Sequence, residues 1–157
     1  MRFARLAVSA ILLLGLAIAG SPSHAFSQEA MDAPVGRWLT EGRDAVIAIE
    51  ACGDALCGRI VGIPLDGPQD PIPTDHQGRS QCGLGIIRDG RPGDGGAWSA
   101  RIVDPRDGSV YRARMRLDAE HRLHLRGYIG IPLLGRTQVW TPFERPIPES
   151  CRLPAAL

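Results

Sequence analysis

The sequence predicts an all-β domain, a small antiparallel barrel or sandwich of about seven or eight strands cross-linked by disulfides. Apolar and polar residues alternate in short runs, and glycine, proline and aspartate separate one run from the next. No long segment shows the 3.6-residue period of an amphipathic helix. Four cysteines follow the N-terminal leader, namely Cys52, Cys57, Cys82 and Cys151.

Each alternating run predicts one strand, and turn residues set its limits. Residues 64–81 are rich in proline, glycine and aspartate and predict a long surface loop, whereas residues 104–108 predict a tight turn. Residues 144–157 form a proline-rich tail. The predicted strands are 36–40, 45–51, 57–63, 84–88, 97–103, 109–117, 123–128 and 136–141.

The alternation is clearest from residue 98 to residue 126. An apolar face of this pattern should line a core or a cavity, and a polar face should be a solvated outer wall. The alternative for the arginines is an anion-binding surface, which would require them to point into the barrel. The apolar face carries Trp98, Ala100, Ile102, Tyr111, Ala113, Met115, Leu117, Leu123 and Leu125, and the polar face carries Ser99, Arg101, Arg112, Arg114, Arg116, His124 and Arg126.

The cysteines are expected to form two disulfides, because an even number in an exported chain favours bridges over free thiols. A register that places Cys52 opposite Cys57 across a four-residue loop also pairs Glu50 with Arg59, so one hairpin satisfies a bridge and an ion pair. Cys82–Cys151 follows by elimination. A four-cysteine zinc site is disfavoured because C-x-x-C knuckles are absent, and no metal or cofactor is expected.

Residues 1–25 predict a cleavable export signal. Arg2 and Arg5 give a basic start, residues 6–19 are apolar, and Ser23–Ala25 suits signal peptidase. An apolar run of 14 residues falls short of the roughly 20 that span a bilayer, so no transmembrane segment is expected after cleavage. The mature chain, residues 26–157, should be one periplasmic or secreted domain. Its 16 arginines against 17 acidic residues give a net charge of −1, which disfavours nucleic acid as a partner.

Several polar groups are candidate sites. His121 and His124 beside Asp118 and Glu120 suggest a metal cluster, but residues three apart on a strand point to opposite faces, so a solvated turn is favoured. The acidic loop residues Asp66, Asp70 and Asp75 with His76 lack the spacing of a calcium loop. No Gly-x-Ser-x-Gly, phosphate-loop or zinc-protease motif is present, so we expect no catalytic residue and no enzyme activity.

The segment Gly130–Gly135 joins the last two predicted strands and contains Ile131, Pro132, Leu133 and Leu134. We expect this apolar loop to fold over one end of the barrel as a plug, because exposed apolar loops invite aggregation. The alternative is an exposed lip that contacts a lipid, a hydrophobic ligand or a protein partner.

Four ordered motifs closely resemble the secreted proteobacterial family known as domain of unknown function 2147. They are Pro34-Val-Gly-Arg-Trp-Leu-Thr40, Cys52-Gly-Asp-Ala-Leu-Cys-Gly58, Asp104-Pro-Arg-Asp-Gly-Ser-Val-Tyr111 and Arg126-Gly-Tyr-Ile-Gly-Ile-Pro-Leu-Leu-Gly-Arg-Thr-Gln-Val-Trp140. The resemblance spans residues 34–143 and is loosest in the loop around Asp75. It implies an exported protein and carries over no catalytic residue.

Gly36-Arg37-Trp38 on the first strand is similar to the Gly-x-Trp pattern of lipocalin-like barrels. The resemblance implies structural roles for Gly36, Trp38 and Trp140, with Arg136 or Arg126 stacked over Trp38. We therefore expect a lipocalin-like barrel that binds a small hydrophobic or amphipathic molecule. The alternative is an envelope structural or interaction protein with a filled core. The expected lining residues are Trp98, Tyr111, Met115, Leu125, Ile131, Leu133 and Leu134.

Overall fold

A computed structural model describes residues 33–157, and the predicted signal segment lies outside them. Every predicted strand has a counterpart in the structure, and a short ninth strand appears in the tail. Single 3-10 turns occupy Asp94–Gly96 and Pro132–Leu134. The strands are β1 Gly36–Leu39, β2 Val46–Cys52, β3 Ala55–Leu65, β4 Gly85–Pro92, β5 Trp98–Val103, β6 Val110–Leu117, β7 Leu123–Tyr128, β8 Arg136–Pro142 and β9 Arg152–Pro154.

The first eight strands form a closed antiparallel barrel. Their order is β2-β1-β8-β7-β6-β5-β4-β3, and β2 also pairs with β3, so the sheet returns to its first strand. All pairings inside the barrel are antiparallel. The predicted all-β barrel is confirmed, and closure removes the exposed sheet edges that an open sheet would present.

Consecutive strands run up and down, so the connections separate into two ends. We define the upper end by the β1–β2, β3–β4, β5–β6 and β7–β8 connections, which cover residues 40–45, 66–84, 104–109 and 129–135. The lower end holds the shorter β2–β3, β4–β5 and β6–β7 turns. The long β3–β4 loop and the apolar β7–β8 loop therefore meet at the same end.

The barrel interior is filled by the apolar face of the strands. Trp38 and Trp140 are buried, Trp98 packs against the same cluster, and Met115 and Leu123 have no exposed surface. The pairs Trp38↔Pro142 and Leu123↔Trp140 place the two buried tryptophans beside the lower part of β8. This inward packing confirms the alternation predicted between residues 98 and 126.

The β2–β3 hairpin forms both predicted contacts in a different register. Cys52 lies opposite Ala55 and Glu50 lies opposite Cys57, so the turn contains two residues and the predicted four-residue loop is wrong. Gly53 has φ 66°, which a type II′ hairpin requires at its first turn position. Because the paired strands twist, diagonal neighbours still meet. Cys52–Cys57 is bonded with Cα atoms 5.8 Å apart, and Arg59 Nε lies 2.9 Å from Glu50 Oε1.

The proline-rich tail packs on the outside of the barrel. Leu39 follows the inward-facing Trp38, and Val46 precedes the inward-facing Ile47, so both point away from the barrel interior. They pack with Phe143 and Leu153 of the tail. The predicted Cys82–Cys151 bridge is present, and β9 pairs in parallel with the end of β3. A Cβ at Gly62 would lie 2.5 Å from Leu153 Cδ1, so glycine makes room for the tail.

The prediction that an arginine of a late strand stacks over Trp38 is wrong. Within residues 33–157 the cation–π pair is formed by Arg145 over Phe143, 5.5 Å from the ring centroid. Arg126 donates instead to carbonyls of the β7–β8 loop, and Arg136 lies at the upper end, away from Trp38. Trp38 Nε1 is satisfied by the Pro34 carbonyl at 3.0 Å.

Trp38→Ala should lower the free energy of unfolding by about 3–5 kcal/mol, because it empties a large buried site in the lower core. Val35→Ala is the matched control, since Val35 is 54% exposed and its truncation should cost less than about 0.5 kcal/mol. Urea unfolding followed by circular dichroism measures both. A loss below about 1 kcal/mol for Trp38→Ala would show that this side chain does not support the core.

Candidate functional site

Two polar side chains of β8 point into the barrel and yet are exposed. Gly127 pairs with Arg136, Leu125 with Gln138, and Leu123 with Trp140. Residues directly opposite one another share a face of the sheet, so Arg136 and Gln138 lie on the face that carries the buried leucines. Both are exposed, whereas Trp140 further down the same face is buried. The barrel is therefore open to solvent at the upper end beside β8.

The short first strand explains this opening. β1 has four residues and pairs with β8 only at Trp38↔Pro142 and Leu39↔Thr141. The upper half of β8, residues 136–139, thus lies beyond the end of β1 and has its strand partner on the β7 side. We call the opening bounded by this half-strand the mouth, and define it by Ile102, Tyr111, Gly127, Arg136 and Gln138.

The polar groups of the mouth are hydrogen-bond donors. Trp140 Nε1 donates to Gln138 Oε1 at 2.7 Å, which occupies the amide oxygen and leaves the amide N–H groups to face the mouth. Arg136 adds a guanidinium two residues away, about 7 Å along the strand. None of the ion pairs of residues 33–157 involves Arg136. Two donors without an acceptor favour an anionic or carbonyl group.

The remaining wall of the mouth is apolar. Ile102 and Tyr111 are half-buried and lie opposite each other on β5 and β6, with Leu125 buried below them. A Cβ at Gly127 would find its nearest neighbours, Ile102 Cγ2 and Tyr111 Cβ, at 4.0 Å, so there is room beside this glycine. The mouth combines an apolar floor with cationic and amide donors at its edge.

The β3–β4 loop covers the opposite half of the upper end. Leu65, Ile72 and Leu84 pack against the barrel core. The loop also reaches the β5–β6 turn, where His76 N donates to the Pro105 carbonyl at 2.9 Å. The β3–β4 loop, which the sequence predicts as a surface loop, thus packs on one end of the barrel core.

Asp75 holds the covering loop in its folded shape. Its buried carboxylate accepts hydrogen bonds from the backbone N–H of Gln77 and from the backbone and side chain of Arg79. Burial alone would raise the pKa of Asp75, but these hydrogen bonds and the Arg79 charge outweigh it and hold the pKa below its usual value. The loop aspartate is thus a structural anchor, and its two nearest donors leave it little capacity for a cation.

The β7–β8 loop stands away from the barrel, so its expected role as a plug is wrong. Ile129 is 73% exposed, Ile131 55%, Leu133 80% and Leu134 77%. We call residues 129–134 the apolar lip. Arg126 Nε and Nη2 donate to the carbonyls of Pro132 and Leu133, so the loop is held outward by the sheet below it. The alternative reading, an exposed lip, is what the structure shows.

The outward arginines mostly support loops. Arg114 donates to the Asp94 carbonyl, Arg116 to the Gly95 carbonyl, and Arg101 pairs with Asp89. The Asp118 turn is likewise structural. Burial would raise the pKa of Asp118, but hydrogen bonds from Arg122 and His124 prevail and hold it well below its usual value. Among residues 33–157 no three His, Cys, Asp or Glu side chains are placed to hold a metal ion.

Two open clefts lie outside the barrel. The larger, about 580 Å³, separates the tail from the outer wall of β1–β3, and the smaller, about 310 Å³, lies between Asp66–Pro68 and β9. Three of the charged groups of the larger cleft have partners, since Glu50 pairs with Arg59 and Arg37 donates to tail carbonyls. We assign no binding group there. In the described part of the chain, no helix has the length and apolarity to cross a membrane.

The residues that the sequence predicts to line a binding site lie in two separate parts of the barrel. Tyr111 and Leu125 lie at or just below the mouth, and the apolar lip borders it. Trp98 and Met115 face each other toward the lower end, where the core is filled. The sequence reasoning missed Ile102 and Gln138 as lining residues and treated Arg136 as structural. The signal was present, because Arg136, Gln138 and Trp140 follow the period of two in the closing strand.

Asp75→Asn should make stability less sensitive to acid. A carboxylate with a lowered folded-state pKa stabilises the folded protein above its unfolded pKa of about 3.9, and this contribution is lost as the pH falls through the folded value. The wild type should therefore lose more stability than Asp75→Asn between neutral pH and about pH 3. Urea midpoints at both pH values measure this. Asp66→Asn, an exposed acid of the same loop, is the control, and equal losses in all three proteins would contradict the anchor.

Comparison with known proteins agrees with this architecture. The structure is similar to "Protein HP1028 from the human pathogen Helicobacter pylori", which is described as belonging to the lipocalin family. The two have a TM-score of 0.57 and 14% sequence identity, and the match covers 71% of this chain and 84% of the other. That likeness shows a shared lipocalin-like fold. Among curated proteins no sequence matches this chain.

The sequence itself matches a family over most of the barrel. Residues 36–142, from the start of β1 to the end of β8, match the family described as "Uncharacterized protein conserved in bacteria (DUF2147)". The matched region contains the mouth, the covering loop and the apolar lip, and it ends before the tail. The chain belongs to the DUF2147 family, and its barrel is lipocalin-like.

Proposed function

We propose that this chain is a periplasmic, non-enzymatic binding protein that takes a small amphipathic molecule at the mouth of its barrel. The observation that carries the proposal is the pair Arg136 and Gln138, which point inward and remain exposed above an apolar floor. An anionic head group would meet both donors, and an alkyl or ring portion would lie against Tyr111 and Ile102.

The two disulfides support the proposed compartment. Both bridges would be reduced in a bacterial cytosol and are favoured in the periplasm. The export signal remains an inference from the first 25 residues. The lining that we now propose retains Tyr111, Leu125 and the apolar lip and adds Ile102, Arg136 and Gln138.

The competing function is a structural or interaction protein of the envelope with no small ligand. The filled lower core favours it, because Trp38, Trp140 and Met115 occupy the volume in which a deep ligand would lie. A ligand in this barrel must therefore be short or must project from the mouth. The two functions differ in whether the mouth takes up an amphiphile.

Arg136→Gln should weaken binding of dansyl-undecanoate, a fluorescent fatty acid, by about tenfold, because it removes a charge-assisted hydrogen bond. Dansyl fluorescence titration measures the Kd. Arg59→Gln is the control with the same charge change on the outer wall, and it should bind like the wild type. When the carboxylate of the probe is replaced by the corresponding alcohol, the affinity of the wild type should fall by a similar factor. The affinity of Arg136→Gln should change little.

Gly127→Val tests whether a ligand occupies the space beside Gly127 in the mouth. The new side chain should occupy the volume beside Ile102 and Tyr111 and abolish uptake, with unfolding unchanged because valine suits a strand. No uptake by the wild type, or wild-type affinity in both Arg136→Gln and Gly127→Val, would overturn ligand binding at the mouth and favour the structural function.

A further inference from the structure

The apolar lip is exposed, and the barrel core does not explain its composition. Its four large side chains, Ile129, Ile131, Leu133 and Leu134, are between 55% and 80% exposed and lie within six consecutive residues. A cluster of this kind on a folded protein marks a contact surface. The lip contains no charged residue, so its contacts must be apolar.

Several backbone polar groups at the tip of the lip are hydrogen-bonded within the protein. Pro132 has no N–H, and the N–H groups of Leu134 and Gly135 donate to the carbonyls of Ile131 and Pro132. The carbonyls of Pro132 and Leu133 accept further hydrogen bonds from Arg126. A loop that enters lipid must satisfy its polar groups internally, because each unpaired group carries a large desolvation cost. These four hydrogen bonds lower that cost at the tip of the lip.

The lip is held in one position by the sheet. A Cβ at Gly135 would lie 2.6 Å from the Gly127 carbonyl oxygen and 2.8 Å from Tyr128 Cβ, so the loop returns to β8 in close contact with β7. Arg126 also donates to Thr137 Oγ1 at 2.7 Å and thus connects the base of the loop to both strands. Preorganisation of this kind lowers the entropic cost of binding.

The wall beside the lip is basic. Strands β5 to β8 contain no aspartate or glutamate. Their register places Arg101, Arg112 and Tyr128 in one row that ends next to Ile129. Like charges directly opposite each other are unfavourable, and Arg101 is paired with Asp89. None of the ion pairs within residues 33–157 involves Arg112, so this end of the row can accept an anion.

We propose that the apolar lip and this arginine row dock the barrel on an anionic phospholipid bilayer. The lip enters the boundary between head groups and acyl chains, Tyr128 lies at the level of the head groups, and Arg112 meets lipid phosphates. The unpaired positive charge beside an apolar, uncharged loop favours an anionic lipid surface over a protein partner. This docking is independent of ligand binding at the mouth.

Co-sedimentation with vesicles tests the proposal with the full mature chain. Vesicles of phosphatidylcholine and phosphatidylglycerol in equal amounts should bind the wild type, and vesicles of phosphatidylcholine alone should bind it at least about tenfold more weakly. The double variant Leu133→Ser and Leu134→Ser should lose about tenfold or more in affinity, because it removes the inserted side chains. Both residues are exposed, so the fold should be kept, and circular dichroism checks this.

Matched controls separate the lip from general surface effects. Val35→Ser replaces an exposed apolar side chain at the lower end and should bind like the wild type. Arg112→Gln should weaken binding to anionic vesicles and reduce its dependence on salt, whereas Arg59→Gln, on a different wall, should not.

Three outcomes would overturn the proposal. They are an absence of wild-type binding, equal binding to neutral and anionic vesicles, and unchanged binding by the Leu133→Ser and Leu134→Ser variant. Concentration-dependent dimerisation that this variant abolishes, without vesicle binding, would show instead that the lip contacts a second copy of the chain.

Discussion

Incomplete pairing between β1 and β8 is the constraint on which the upper part of this barrel depends. A closed barrel needs each strand to pair on both sides, but β1 provides only two partners for β8. The lower half of β8 is therefore sealed by Trp38, and the upper half is open. The opening exposes inward-facing polar residues that a complete wall would bury at a high cost. The mouth and the exposure of its donors follow from the length of one strand.

Two layers of apolar packing compensate for the small size of the barrel. The inner core fills the lower end, and a second cluster buries Leu39 and Val46 beneath Phe143 and Leu153 of the tail. The Cys82–Cys151 bridge links the long loop to the tail across a separation of 69 residues. On the chain-entropy model a closed loop of this length stabilises the fold by roughly 4 kcal/mol. The tail therefore belongs to the folded unit even though the family match ends before it.

The two longest loops of the upper end point in different directions. The β3–β4 loop turns inward, because Asp75 bonds its own backbone and Ile72 packs on the core. The β7–β8 loop turns outward, because Arg126 holds its carbonyls above the sheet. As a result, half of the barrel end is covered and the other half carries the mouth beside the lip. A lip that contacts a bilayer would bring the mouth to the surface where amphipathic molecules are concentrated.

The sequence by itself determined the strands, the inward and outward faces and both disulfides, because each depends on local periodicity or on cysteine count. Alternation from Trp98 to Arg126 requires only the geometry of a strand. The tertiary structure alone decided the hairpin register, in which the bridge is diagonal, since twist and turn type are set by the folded pair. It also decided whether the apolar β7–β8 loop is buried or exposed. Burial of Ile131 to Leu134 or of Ile72 is equally favourable by composition, and which loop packs on the barrel depends on the hydrogen bonds that Arg126 and Asp75 form in the folded loops. The opening of the mouth could not be predicted from the sequence, because it depends on how far β1 extends along β8, about 100 residues later in the chain.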